Sequence, residues 1–88
     1  MPRSRPEDRQ YAKRIVQSMA AVAEPHTGVV DAVPIWGAAN DWLEDNGQGG
    51  IPLGTWARAM QDAGYRMQKA VPGFPMTIRG QRLKGGAA

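Results

Sequence analysis

Apolar residues recur along the first third of the chain at Tyr11, Ile15, Met19 and Val22, spaced by four, four and three. That spacing gathers them on one helical face and predicts a first helix at about residues 6–23. Ser4 followed three residues later by Glu7 has the form of a capping box, and Pro6 is tolerated in a first turn. Pro25 ends the helix, because its ring removes a donor and disfavours helical geometry in the residue before it. The segment up to Asp31 is too short for a helix and predicts one brief strand at Val29 and Val30. Asp31 is then the expected cap of a second helix whose apolar positions are Ile35, Trp36, Ala39, Trp42 and Leu43, stopped by Asn46-Gly47. Pro52 reads as the first residue of a third helix ending at Ala63 before a C-terminal Gly64. Its buried stripe is expected to be Leu53, Trp56, Ala59, Met60 and Ala63, which leaves Thr55, Arg58, Gln61 and Asp62 facing solvent.

After Gly64 the period shortens from 3.6 to 2. Tyr65, Met67, Lys69 and Val71 alternate with Arg66, Gln68 and Ala70, and 71–75 form a proline-glycine turn. The stretch 76–83 is expected to return antiparallel, closing a hairpin. The predicted class is mainly α with a small β-hairpin (α+β). Three helices and a C-terminal wing make the winged helix-turn-helix order. Residues 1–88 read as one domain with a basic arm at 1–5 and a flexible tail at 84–88.

Charge changes the picture more than composition does. The net charge is +3. It divides into +3 over residues 1–23 (Arg3, Arg5, Arg9, Lys13 and Arg14 against Glu7 and Asp8) and −5 over 24–49 (Glu24, Asp31, Asp41, Glu44 and Asp45). Residues 50–88 carry +5, from Arg58, Arg66, Lys69, Arg79, Arg82 and Lys84 against Asp62. A chain segmented in this way suits a protein that turns its C-terminal part toward a polyanion. The expected nucleic-acid contacts are Thr55, Arg58 and Gln61 on the third helix, and Arg66, Lys69, Arg79, Arg82 and Lys84 on the wing. Arg3, Arg5 and Arg9 are possible arm contacts, and Phe74 at the wing tip is a candidate to stack or wedge.

The stretch from Trp36 to Leu83 carries a further pattern. Trp36, Ala39 and Trp42 are spaced by three and lead into Glu44-Asp45-Asn46-Gly47. Ile51, Pro52, Trp56, Met60 and Gly64-Tyr65 follow, and the pattern closes on Ile78-Arg79-Gly80-Gln81-Arg82-Leu83. This resembles the C-terminal winged-helix domain of phage and plasmid primase-helicases of the poxvirus type. The resemblance implies a replication or regulatory module that binds double-stranded DNA. It does not bring the enzyme's own machinery, since the sequence holds no Walker lysine motif.

Catalytic and metal readings find little support. There is no cysteine, so thiolate chemistry and disulfides are excluded. His26 is the lone histidine, in an expected loop, and reads as structural or solvated. Asp41, Glu44 and Asp45 lie on the polar side of an amphipathic helix without the spacing of a calcium loop. Trp36, Trp42 and Trp56 fall at core spacing rather than on a stacking platform. The expectation is therefore a non-enzyme with no cofactor and no metal. The N-terminal segment lacks an apolar run of signal-peptide type, and no stretch is long enough to span a membrane, so a cytoplasmic location is expected. The alternative is a protein-interaction adaptor, or a small phage-encoded inhibitor, that uses the same fold to dock on a host nucleic-acid-handling complex.

Overall fold

The computed structural model describes residues 6–68 and 75–84, with side chains from Tyr11 onward. The elements run α1 (Pro6–Val22), β1 (Ala23–Asp31), α2 (Val33–Asp45), α3 (Leu53–Asp62), β2 (Arg66–Gln68) and β3 (Thr77–Leu83). The three strands form one antiparallel sheet in the order β1-β3-β2. The domain is thus α+β, with three helices that pack on one another and on one face of the sheet.

The core is built from the helical stripes. Ile15 and Met19 of α1, Ile35, Ala39 and Leu43 of α2, and Trp56 and Met60 of α3 are all buried, together with Ile51 in the loop and Ile78 on β3. Tyr11, Val22, Trp36, Trp42, Leu53 and Ala59 pack half-buried around them. Ala63 was expected in this stripe and is exposed, because it is the residue on which α3 ends. Ser18 is a buried polar residue on α1, tolerated because its hydroxyl donates to Arg14 O at 2.7 Å.

Both later helices end in the same way. Gln48 N donates to Leu43 O and Gly47 N to Glu44 O after α2; Tyr65 N donates to Met60 O and Gly64 N to Gln61 O after α3. Each is a Schellman motif, in which the left-handed residue reverses the chain and satisfies the last carbonyls. Gly47 and Gly64 supply that conformation with φ of 73° and 99°. The predicted start of α3 is off by one residue: Pro52 is its cap, with an extended ψ of 149°, and its carbonyl accepts from Trp56 N.

Two further sequence expectations need correction. The brief strand at Val29 and Val30 is a nine-residue strand that begins directly where α1 stops. Pro25 ends the helix as expected but is also compatible with β1, which is an edge strand and can spare a donor. The cap of α2 is Ala32, with no side-chain cap bond, rather than Asp31. Asp31 is held in the sheet opposite Thr77, while Ala32 N donates to Met76 O. Strand pairing outweighed the local preference of Asp for a cap.

Candidate nucleic-acid interface

Strand β3 is the centre of the site, and its alternation is broken on purpose of geometry by one glycine. Ile78 and Leu83 both pack on the core, although five positions apart in a strict strand they would face opposite ways. Gly80, with φ of 90°, resets the phase. On β1 the register passes from Pro25 opposite Gln81 to Val29 opposite Arg79, so His26, Thr27 and Gly28 bulge across from Gly80. The consequence is that Arg79 and Arg82, three apart, are both exposed.

Arg66 on β2 lies directly opposite Arg79. Members of a cross-strand pair project to one face with Cβ atoms ~5 Å apart. The next pair inward, Met67 and Ile78, packs on the core, which assigns the arginine pair to the outer face of the sheet. Val29, also opposite Arg79, is 46% exposed on that face. Two like charges directly opposed cost stability. Among the described residues the one ion pair joins Arg82 to Glu24, so no carboxylate compensates Arg66 or Arg79 there.

The other predicted contacts separate into groups. Arg58 and Gln61 are exposed on α3, with Arg58 Nη2 3.5 Å from Thr55 Oγ1 and Thr55 half-buried. Arg82 Nε donates to Glu24 Oε2 at 2.7 Å, across the pair that joins β3 to β1. Lys84 was expected in a flexible tail, but its Nζ donates to Ala20 O at 2.7 Å, in the last turn of α1. There it neutralises the negative end of the helix. Arg82 and Lys84 are therefore tied to the α1–β1 junction, and the expected continuous basic wing is narrower than the sequence suggested. Lys69, Phe74, Arg3 and Arg5 lie outside the described residues, as does the side chain of Arg9.

Sequence reasoning missed the device that sets α3 relative to α2. Asn40 Oδ1 accepts from Ile51 N at 3.0 Å and Asn40 Nδ2 donates to Ile51 O at 3.1 Å. Trp36 Nε1 donates to the same carbonyl at 2.7 Å. One amide side chain thus clasps the backbone of the loop on both sides, much as a neighbouring strand would. Gly50 belongs to the device, since a Cβ there would stand 3.3 Å from Asn40 Cγ. The signal in sequence was a polar Asn among apolar helix positions, one turn after Trp36.

A shallow cleft of about 400 Å³ opens between the α3–β2 turn and the middle of β3, lined by Ala63, Gly64, Tyr65, Arg66, Arg79, Gly80 and Gln81. Burial pushes the Tyr65 phenol above its ordinary pKa, so at neutral pH it stays protonated and able to donate. Among the described residues no cluster of three metal-ligating side chains occurs, and no helix is long and apolar enough to cross a membrane. Comparison with protein-family models, with curated proteins and with solved structures gave no match.

Proposed function

We propose that this chain is a winged-helix module that binds double-stranded DNA, of the phage- or plasmid-related replication or regulatory kind. In this reading α3 enters the major groove with Arg58 and Gln61, and the β2–β3 hairpin follows the phosphates with Arg66 and Arg79. The element order, with a strand between the first two helices and a hairpin after the third, is compatible with that layout. The observation that carries the reading is the exposed Arg66–Arg79 pair, two like charges in register with no acidic partner among the described residues. Such an arrangement is unfavourable in the free protein and becomes favourable against a polyanion.

The test is a titration of purified protein with random-sequence duplex at two salt concentrations. The triple variant Arg58→Ala, Arg66→Ala, Arg79→Ala is expected to lose binding while its far-ultraviolet spectrum is unchanged. Arg82 is left out of the set because Glu24 already holds it. Binding retained by the triple variant moves the surface elsewhere. No binding by the parent protein at low salt turns the reading toward a protein-docking adaptor.

A further inference from the structure

The cleft between the α3–β2 turn and β3 does not resemble a surface that only follows a sugar-phosphate backbone. Its walls bring together Arg66 and Arg79 from adjacent strands, one aromatic residue, and two glycines. Gly64 and Gly80 both hold left-handed backbone, which leaves the peptide groups of the wall without side-chain cover. A Cβ at Gly64 would meet nothing within 4 Å, so the space over it is open. A cleft of about 400 Å³ falls within the size range of small-ligand sites.

Charge narrows the ligand. An internal phosphodiester brings one negative charge, whereas a terminal phosphomonoester brings between about 1.5 and 2 at neutral pH. Two guanidinium groups without carboxylate partners among the described residues match the second better than the first. Tyr65 then offers a hydroxyl for a phosphate oxygen, or its ring for a base.

We propose that this cleft is a nucleoside 5′-phosphate site, occupied by the terminal nucleotide of a 5′-phosphorylated strand or by a free mononucleotide. Arg66 and Arg79 hold the phosphate from two sides, and Tyr65 lies against the nucleoside. The proposal rests on the DNA-binding reading, whose Arg66–Arg79 pair it uses, and deepens it by giving the module a preference for strand ends.

The experiment compares three DNAs with the full chain: a short duplex with 5′-phosphates, the same duplex with 5′-hydroxyls, and covalently closed circular DNA. Adenosine 5′-monophosphate and adenosine serve as competitors. The expected result is about tenfold tighter binding of the phosphorylated duplex, the worth of a charge-assisted hydrogen bond. Arg66→Gln and Arg79→Gln each abolish that preference, while Arg58→Gln lowers affinity for all three DNAs and leaves the preference intact. Competition by the monophosphate, but not by adenosine, supports the site. Competition at concentrations well below the duplex's own dissociation constant identifies the free mononucleotide as the better occupant. Equal binding of both duplexes and the closed circle overturns the cleft proposal and leaves the DNA-binding reading standing. Binding of the phosphorylated duplex alone does the reverse. Failure to bind any of the three, with no NMR chemical-shift change at Tyr65 on addition of the monophosphate, overturns both.

Discussion

Asn40→Ala isolates the contribution of a single side chain to the placement of α3. It removes both hydrogen bonds of the clasp, but the two losses are unequal. Ile51 O keeps the Trp36 indole at 2.7 Å, so it remains satisfied. Ile51 N loses its only side-chain acceptor, and Ile51 is 1% exposed. An unpaired buried donor costs ~1–3 kcal/mol, and the lower half of that range applies here because Asn40 and Gly50 border solvent. An expected loss of ~1.5 kcal/mol lowers Tm by roughly 6–12 °C in a domain of this size. Urea unfolding and a thermal scan followed by circular dichroism measure it. The partner substitution Trp36→Phe leaves Asn40 on the carbonyl, so the double variant alone strips Ile51 O of every partner. A cycle over the two positions should therefore show coupling of ~1 kcal/mol. A Tm within about 2 °C of the parent protein for Asn40→Ala, or strict additivity with Trp36→Phe, refutes the clasp as a determinant of stability.

Three further outcomes follow from the geometry of the sheet and its cleft. Gly80→Ala forces a side chain into left-handed backbone opposite the β1 bulge and is expected to cost ~1–2 kcal/mol in chemical unfolding; a neutral result would mean that the phase reset does not need glycine. Glu24→Gln frees Arg82 and removes a negative charge from the same sheet face. Duplex affinity is then expected to rise a few-fold at low salt with less than ~1 kcal/mol of stability lost, as measured by fluorescence anisotropy and urea titration. Tyr65 is raised in the folded state, so the folded chain binds its proton more tightly than the unfolded chain does. Stability must therefore fall as pH rises above about 10, and Tyr65→Phe should flatten that part of the pH profile; identical profiles for the two proteins contradict the assignment.

The helices were legible because their signals are local. Four-three spacing fixed the faces of α1, α2 and α3, and Asn46-Gly47 and Ala63-Gly64 marked two stops that the Schellman bonds realise. What was hidden is set by pairing across the chain. Strand β1 contains Pro25 and Gly28 and reads as a connector, yet it becomes a strand because β3 supplies a partner sixty residues away in sequence, as in Ala23 with Leu83. Asp31 is a good cap locally and is captured by that same pairing. The candidate site was half legible. Arg58 is exposed as its helix face implied, and Arg66 and Arg79 as strand positions, whereas Glu24 and Ala20 O, which occupy Arg82 and Lys84, come from a segment with no local link to β3. Asn40 is the same lesson on the polar side: its place one turn after Trp36 marks it in the sequence, but its partner lies eleven residues away in the loop.

The most direct test of the central claim is the slope of log affinity against log salt for duplex DNA, measured for the parent protein and for Arg66→Gln/Arg79→Gln. If the opposed arginines each neutralise a phosphate, the slope should fall in magnitude by about 1.8 in the double variant, with the fold unchanged. An identical slope in the two proteins would contradict the claim that this pair faces the nucleic acid.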